Sequence, residues 1–301
     1  MRIVIAGGSG FIGRKLTELL QAQGHSVIIL TRKAKKSDEN IAYVQWLSEG
    51  SSPEKEIGSA DAFINLAGVS INEGRWSKKH QKQIYESRMT ATEELLRIIS
   101  ALAEKPAVLI NASAIGIYPA SETSIYTENS TERANDFLGK TVRDWENNAK
   151  QVEEQSVRAV FMRFGVVLGK EGGALPLMAL PYRLFVGGKV GSGEQWVSWV
   201  HVMDVVRAIL FALKNDTLRG PVNVTSPSPL QMNDFGKTIG AVLHRPHWMP
   251  VPSIAMKMVL GQKSALVLEG QHVVPEVLQQ EGFEFMFPKL RYALEDLFSR
   301  R

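Results

Sequence analysis

The sequence predicts an α/β protein with a doubly wound, parallel Rossmann sheet followed by a smaller C-terminal α/β part. Three observations support this prediction. Apolar runs typical of strands alternate with amphipathic segments up to residue 168. A glycine-rich turn, residues 7–13, joins the first run to the first amphipathic segment. A second run, residues 26–30, closes a βαβ unit roughly 30 residues from the start.

Strands are predicted where short runs rich in Ile, Val, Phe and Ala lie between polar or glycine-containing segments. They span residues 2–6, 26–30, 41–46, 61–68, 107–112, 158–167 and 221–225. The segment of residues 53–59, which joins the third strand to the fourth, is expected to be a polar connection.

Amphipathic periodicity predicts the helices. They span residues 14–23, 76–103, 136–155, 204–214, 232–243, 254–259 and 290–298. Within the second of them, the residues expected to reach the core are Ile84, Leu95, Leu96, Ile99 and Leu102. Prolines and glycines between residues 172 and 193 break the alternation and predict a loop-rich region, and Pro246, Pro250 and Pro252 predict a linker.

The glycine-rich turn is interpreted as a dinucleotide site, made of Gly7, Ser9, Gly10, Phe11, Ile12 and Gly13. Gly7 permits a positive φ, Gly10 lets the backbone approach a pyrophosphate, and Gly13 lets the helix pack closely on the strand. Unpaired N–H groups and the positive dipole end at the start of the helix attract the phosphates. The alternative is a tight turn without a ligand.

The end of the second strand indicates which dinucleotide is bound. An NAD site usually has Asp or Glu there, whereas this chain has Thr31-Arg32-Lys33 and no acidic residue before Asp38. Arg32 can hold a 2′-phosphate through charge-assisted hydrogen bonds, with the Thr31 hydroxyl as a further donor. The pattern therefore favours NADP(H) over NAD(H); the alternative is a charged, solvated loop.

Two further segments are expected beside the cofactor. Leu66, Ala67 and Gly68 end the fourth strand, and ligands of open parallel sheets lie beyond the carboxyl ends of the strands. Arg88, on the following helix, could fold back on the phosphates. The alternative for Arg88 is a surface position on a helix.

Composition limits the function classes. With 44% hydrophobic and 22% charged residues, the chain has ordinary globular composition. It has no cysteine, which excludes disulfides, thiolate nucleophiles and Cys-ligated zinc and fits a reducing compartment. The chain begins with a strand and has no apolar run near the ~20 residues of a membrane span. We therefore expect a cytoplasmic protein without a membrane partner.

Nucleic-acid, metal and hydrolase functions are not indicated. The net charge is +4, but 31 acidic residues are interleaved with the basic ones, and a phosphorylated cofactor explains the densest basic run, Arg32–Lys36. His244 and His247 have helical spacing, but Pro246 interrupts the helix that would direct both at one metal ion. There is also no G-x-S-x-G motif.

These motifs resemble those of extended short-chain dehydrogenases/reductases, the superfamily of nucleotide-sugar epimerases and dehydratases. The matching segments are residues 7–13, 65–68, 113–118, 163–169, 199–204 and 220–224. More narrowly, the chain is similar to the "epimerase family" group with a C-terminal domain of unknown function. That tail is matched at residues 260–261, 269–271, 275, 282–288 and 293–294.

The resemblance covers essentially the whole chain and implies a Rossmann fold with NADP(H). It places the cofactor at Thr31, Arg32, Leu66, Ala67, Arg88 and Val167. We expect an NADP(H)-binding domain over residues 1–168, to which part of residues 197–225 returns. Residues 169–301 are expected to form the substrate-facing and C-terminal domain. The resemblance also allows a homodimer through helices of the Rossmann domain.

One departure from the superfamily bears on the chemistry. Its members use a Tyr-x-x-x-Lys pair as proton relay during hydride transfer. None of the six tyrosines of this chain is followed by lysine four residues later. At the start of the helix near residue 137, Phe137 or Leu138 falls in the tyrosine's place, and Ala114 falls where the partner serine usually lies. Standard epimerase or reductase chemistry is therefore not indicated.

Two other residues could supply the proton. Tyr118 follows the strand beside the expected nicotinamide, and His201 lies in a block that borders the active site in extended members. The alternative for both is a structural role in packing, and Arg163 could face the ligand or form a buried ion pair.

We therefore expect an epimerase/dehydratase-like oxidoreductase that binds NADP(H) and acts on an unidentified small polar substrate, such as a sugar-nucleotide-like compound. The alternative is a catalytically inactive, NADP(H)-sensing regulatory protein that binds a protein partner.

Overall fold

The computed structural model of the protein describes residues 1–33, 35–37, 41–74 and 76–299. Ala34, within the basic run considered above, and Asp38, the first acidic residue after it, lie outside these ranges, as do the last two residues of the predicted C-terminal domain.

The strands of the described residues are β1 (Arg2–Ala6), β2 (Ser26–Thr31), β3 (Ile41–Gln45), β4 (Ala62–Asn65), β5 (Val108–Ala114), β6 (Ile125–Tyr126), β7 (Arg158–Phe164), β8 (Val166–Leu168), β9 (Trp196–Val197), β10 (Trp199–His201), β11 (Gly220–Val224), β12 (Leu230–Gln231) and β13 (His272–Val273). The α-helices of the same residues are α1 (Phe11–Ala22), α2 (Pro53–Ile57), α3 (Lys78–Ala101), α4 (Phe137–Lys150), α5 (Leu175–Arg183), α6 (Val202–Lys214), α7 (Met232–Leu243), α8 (Ser253–Leu260), α9 (Ala265–Leu268), α10 (Glu276–Gln280) and α11 (Leu290–Phe298). Short 3₁₀ helices span Ile115–Ile117, Gln151–Gln155 and Gly261–Ser264.

A parallel sheet with the strand order β3-β2-β1-β4-β5-β7-β11 forms the centre of the described part of the chain. The predicted doubly wound Rossmann fold is confirmed. From β1 the chain builds outward in one direction through β2 and β3, and then in the other through β4, β5, β7 and β11. The reversal between β1 and β4 opens a crevice at the carboxyl edge, where ligands of such sheets bind.

Alternate residues of each central strand supply two different apolar layers. In β1, Ile3 and Ile5 belong to one buried cluster, whereas Val4 and Ala6 belong to the other. The first cluster contains residues of α1 and α6, and the second contains residues of α3 and α4. Helices thus cover both faces, which explains why these strands are apolar along their whole length.

A separate apolar cluster joins α5, α7 and α11 around Trp199, which is fully buried. Buried polar side chains attach the C-terminal segment to this part. The Asp204 carboxylate accepts hydrogen bonds from the backbone N–H groups of Met286 and Phe287, at 2.7 and 2.9 Å. The Ser226 hydroxyl donates to the carbonyl of Pro288 at 2.9 Å.

The structure corrects three local predictions. The polar connection contains the helix α2, and the loop-rich region contains the helix α5. Pro176 lies in the first turn of α5, where its missing N–H costs no hydrogen bond. The strand predicted over residues 158–167 is interrupted at Gly165, where the backbone passes so close to the carbonyl of Ser198 that there is no room for a side chain. Beyond Gly165 the chain leaves the central sheet, and β8 pairs with β10.

No helix among the described residues has both the length and the apolar character that a membrane crossing requires.

Candidate functional site

The glycine-rich turn has the geometry that its three glycines predict. Gly7 has a φ of +81°, and a Cβ on it would lie 2.6 Å from the carbonyl of Leu66. A Cβ on Gly13 would overlap the carbonyl oxygen of Gly7 and lie 2.7 Å from the Cα of Gly8. Backbone packing therefore requires glycine at both positions. A Cβ on Gly10 would meet only the Gly7 carbonyl oxygen, at 3.2 Å, and would otherwise project into open space.

The N-terminus of α1 lies open in front of this turn. Gly10 caps the helix with an extended backbone, and no described side chain accepts a hydrogen bond from the first N–H groups. By contrast, Ser77 caps α3 and Asp136 caps α4 through their side chains. The exposed residues Ser9 and Gly10 and the free N–H groups of α1 form a cradle that an anionic group can fill.

Phe11 connects the turn to the segment after β8. Its ring occupies the space where side chains on Gly169 and Gly172 would lie, and a Cβ on Gly172 would be 2.7 Å from the ring. Ile12 packs against the apolar layer of the sheet. The carbonyl of Val167 accepts a hydrogen bond from Ala174 at 3.1 Å, so Val167 lies beside the same glycines. The sequence-predicted residues Phe11 and Val167 are thus brought together.

Arg32 follows β2 and is exposed. Its guanidinium has no hydrogen-bond or ion-pair partner within residues 1–33, 35–37, 41–74 and 76–299. The Thr31 hydroxyl differs from its predicted role, because it donates to the carbonyl of Lys33 at 3.0 Å. Thr31 therefore stabilises the turn that presents Arg32, and its proton is already used within the protein.

Arg88 reaches the carboxyl edge from α3. Its guanidinium donates to the carbonyls of Val69 and Ile84, at 3.2 and 2.9 Å, and lies against Gly68, where a Cβ would be 3.2 Å away. Its Cζ lies 5.1 Å from the centre of the Trp145 ring. Burial lowers the pKa of Arg88 to about 10. No described carboxylate pairs with it, so it is a largely desolvated cation beside the predicted cofactor segment rather than a surface arginine.

A series of buried side-chain hydrogen bonds, which the sequence analysis did not predict, holds residues 66–68 in place. The side-chain Oδ1 of Asn65 accepts from the N–H of Ala67 at 3.1 Å, and its Nδ2 donates to the side-chain Oδ1 of Asn111 at 2.7 Å and to the Thr92 hydroxyl at 3.1 Å. The Trp145 indole also donates to the Thr92 hydroxyl, at 3.0 Å. The sequence signal for this series is an asparagine in each of two neighbouring apolar strands.

Tyr118 is fully buried and its hydroxyl is surrounded by protein groups. The hydroxyl accepts a hydrogen bond from Arg163 at 2.8 Å and lies 3.0 Å from both the Thr127 carbonyl and the Asn223 carbonyl oxygen. Burial raises its pKa above the ordinary value, although Arg163 opposes the shift. This geometry does not support Tyr118 as a proton donor to substrate, and it fits the alternative of structural packing.

Arg163 is part of a buried ion pair and does not face the crevice. Its Nε and Nη2 donate to the two carboxylate oxygens of Glu146, each at 2.8 Å. The Ser113 hydroxyl donates to the same carboxylate at 2.5 Å. Ser113 and Arg163 are each 3% exposed, so both polar groups lie beneath the strand ends.

His201 is 1% exposed and serves as the N-cap of α6. Its Nδ1 accepts a hydrogen bond from the N–H of Met203 at 3.1 Å, and its Nε2 lies 3.4 Å from the carboxylate of Asp296. The ring packs on Phe287, with centroids 4.0 Å apart. Burial outweighs the attraction of Asp296 and lowers the pKa of His201. This geometry, too, supports the structural alternative and not a catalytic role.

The first half of α4 turns apolar side chains toward the end of β5. Val142 is 4% exposed and belongs to a cluster with Ile115 and Ile117, against which Ala114 packs. Leu138, one turn earlier, is half-buried, and its Cβ would be 3.5 Å from a Cβ on Gly116. Leu138 and Val142 are four residues apart, so they lie on one face of the helix.

The neighbours of Leu138 point elsewhere. Phe137 packs edge-on against Trp76 with ring centroids 5.9 Å apart, and Lys140 is exposed. Of the two residues that the sequence offered for the tyrosine's place, Leu138 is therefore the one beside β5.

No group of three or more His, Asp or Glu side chains in the described part of the chain is arranged to hold a metal ion.

Comparisons with known proteins agree with this architecture. A sequence profile described as the NAD dependent epimerase/dehydratase family matches residues 3–224, and a domain of unknown function, DUF1731, matches residues 251–297. The chain is 47% identical to the epimerase family protein YfhF of Bacillus subtilis, covering 100% of this chain and 99% of that protein. It is 41% identical to the epimerase family protein SAB0724c of Staphylococcus aureus, with 99% coverage of both.

Among solved structures, the human epimerase family protein SDR39U1 (isoform 2), crystallised with NADPH, superposes with a TM-score of 0.88. The two are 34% identical over 99% of each chain. A nucleoside-diphosphate sugar epimerase from Corynebacterium glutamicum superposes with a TM-score of 0.79 at 28% identity, over 99% of this chain and 58% of that one.

Proposed function

The chain belongs to the NAD dependent epimerase/dehydratase family, and from that premise we propose that it is an oxidoreductase that binds NADP(H) at the carboxyl edge of its sheet. The substrate would lie between this edge and the segment that follows β8. The superfamily's Tyr-Lys proton relay has no part in the proposed activity.

One observation carries the proposal: two guanidinium groups, neither paired with a carboxylate of residues 1–33, 35–37, 41–74 or 76–299, lie on the two sides of the crevice onto which the N-terminus of α1 opens. Arg32 lies past β2, and Arg88 lies against Gly68 past β4. A dinucleotide phosphate would supply the anions that this arrangement lacks. The 34% identical human structure with NADPH supports the same choice of cofactor.

Each residue has a role in this proposal. The N–H groups at the start of α1 bind the pyrophosphate, and Gly10 leaves room for it. Arg88 neutralises phosphate charge from the side of α3, and Arg32 binds the 2′-phosphate in a charge-assisted way. Leu66, Ala67 and Gly68 lie along the adenosine half. When bound, the cofactor supplies a hydride or accepts one.

The second candidate is an NADP(H)-sensing protein that binds a protein partner without turnover. The apolar face formed by Leu138 and Val142 favours it, because neither side chain can donate a proton where the superfamily places its relay.

Substitution of Arg32 tests the cofactor assignment. A charge-assisted hydrogen bond contributes about 1.5–3 kcal/mol, so Arg32→Ala should weaken NADPH binding roughly 10- to 150-fold and leave NADH binding nearly unchanged. Titration of protein fluorescence with each cofactor measures both affinities. Arg291→Ala, which removes an exposed arginine paired with Glu295, is the matched control and should change neither. Equal losses for both cofactors in the Arg32 variant would refute the assignment.

A further inference from the structure

We propose that the hydride acceptor is a planar, conjugated compound of the quinone class, bound on the apolar surface that Ala114, Gly116 and Leu138 form at the end of β5. This inference rests on the proposed NADP(H) function and names its substrate class. It replaces the small polar substrate expected from the superfamily.

The protic side chains at the end of β5 are already hydrogen-bonded within the protein. The Ser113 hydroxyl donates to Glu146, and the Arg163 guanidinium is shared between Glu146 and Tyr118. The phenol of Tyr118 is fully buried beneath them. Within the described ranges, these polar groups form a closed network under the surface, and none of the three can transfer a proton to a molecule above it.

The surface above this network is apolar and accessible. Ala114, Gly116 and Leu138 are each partly exposed, and Leu138 lies next to Gly116. Apolar faces of this kind bind a flat ring by dispersion and by release of water, and they give no hydrogen bond to a sugar hydroxyl. A sugar hydroxyl buried there would lose its bonds to water without replacement.

The charge that hydride transfer creates differs between a ketone and a quinone. Hydride addition to an isolated ketone yields an alkoxide, which needs a proton as it forms and therefore a general acid. Hydride addition to a quinone yields a hydroquinone anion, whose charge lies on a phenolic oxygen with a pKa near the ~10 of a phenol. Such an anion forms without an acid from the protein and takes its proton from water.

Atoms and electrons balance in this reaction with NADPH, the quinone and one proton from solvent. NADPH and the quinone give NADP⁺ and the hydroquinone anion: one C–H bond of the dihydronicotinamide breaks, and both its electrons enter the quinone as hydride. The cofactor is oxidised, the quinone is reduced, and the anion then takes one proton from solvent.

The test compares 1,4-naphthoquinone with cyclohexane-1,4-dione, which has the same two carbonyls without conjugation. NADPH oxidation is followed by absorbance under anaerobic conditions, with the rate in the absence of protein subtracted. We expect saturable turnover with the quinone, at least about tenfold faster than with the dione, a difference of about 1.4 kcal/mol in barrier. We also expect kcat to stay level between about pH 6 and 9, because no protein acid titrates in the step.

Variants of the apolar surface sharpen the test. Leu138→Asn should raise the KM for the quinone severalfold, whereas Leu138→Met, which keeps an apolar side chain of similar volume, should not. Leu47→Asn, at an exposed leucine after β3, is the remote control. Thermal unfolding confirms that each variant folds.

Each outcome decides between the proposals. If NADPH binds but the quinone is not reduced faster than in the absence of protein, the acceptor class is wrong and the cofactor assignment stands. If kcat falls as a single group titrates, a protein acid takes part and the inference is also wrong. If NADPH does not bind at all, the proposed function fails with it.

Discussion

Two arginines at the carboxyl edge of the sheet have opposite surroundings. Arg163, under the ends of β5 and β7, has a bidentate carboxylate partner in Glu146 and a phenol partner in Tyr118. Arg88, under the end of β4, has only the carbonyls of Val69 and Ile84. The first cation is neutralised within the protein, whereas the second is desolvated without an anion from the described residues.

This difference distinguishes the region around Arg163, which is structural, from the region around Arg88, which is the binding region of the proposed function. Where the charge is internally paired, the surface above it is apolar and its polar groups cannot reach a ligand. Where the charge is unpaired, the open helix N-terminus and Arg32 lie around the same crevice. In the proposed function, the half of the edge that would bind the cofactor is thus the one whose arginines have no carboxylate partner among the described residues.

The largest expected effect comes from breaking the internal pair. Glu146→Ala leaves the guanidinium of Arg163 buried and unpaired, which typically costs about 3–5 kcal/mol of the free energy of unfolding. Denaturant unfolding at neutral pH measures the loss. Glu295→Ala, which breaks the exposed pair with Arg291, is the control and should change the midpoint little. An unfolding free energy equal to that of the wild type in Glu146→Ala would contradict the structural role.

Replacing Arg88 should weaken cofactor binding without lowering the free energy of unfolding. Arg88→Met keeps the volume of the side chain and removes a desolvated cation, so stability should be unchanged or higher. Binding of NADPH and NADH should both weaken roughly 10-fold or more, since both carry the pyrophosphate. Calorimetric titration and thermal unfolding measure the two quantities. A variant that loses stability but keeps its affinity would make Arg88 a structural residue like Arg163.

The smallest expected effect concerns His201 and pH. Burial lowers the pKa of His201 below the usual value of 6.5. The unfolded chain therefore takes up the proton first, and the stability that neutral His201 contributes is lost as the pH falls below 6.5. His201→Asn keeps an acceptor for the N–H of Met203 and does not titrate.

The loss of stability on acidification from pH 7 to 5 should accordingly be smaller in His201→Asn than in the wild type. It should not vanish, because burial also lowers the pKa of His25, His247 and His272. Thermal unfolding across this pH range checks the difference. Identical slopes for the two proteins would argue against a buried, neutral His201.

The sequence predicted those features that depend on neighbours along the chain. The alternation of apolar runs predicted the seven strands of a doubly wound parallel sheet, and the glycine spacing predicted the turn at Gly7 and the close packing at Gly13. Each follows from local backbone geometry, which a short pattern specifies.

The features it missed depend on residues far apart in sequence. Whether Tyr118 acts as an acid or packs in the structure could not be decided, because its partners Arg163 and Asn223 come 45 and 105 residues later. The helix α5 was predicted as loop because its prolines are locally unfavourable, yet packing against α7 stabilises it. Arg88 could not be assigned until the fold showed that it lies against Gly68 and not in solvent.

Calorimetric titration of the wild-type protein with NADPH, and in parallel with NADH, tests the central claim most directly. Arg32 and Arg88, which no carboxylate of the described residues pairs, predict one NADPH per chain and a weaker affinity for NADH, which lacks the 2′-phosphate. Absence of binding heat with both cofactors, at temperatures far enough apart for the binding enthalpy to change, would contradict the account.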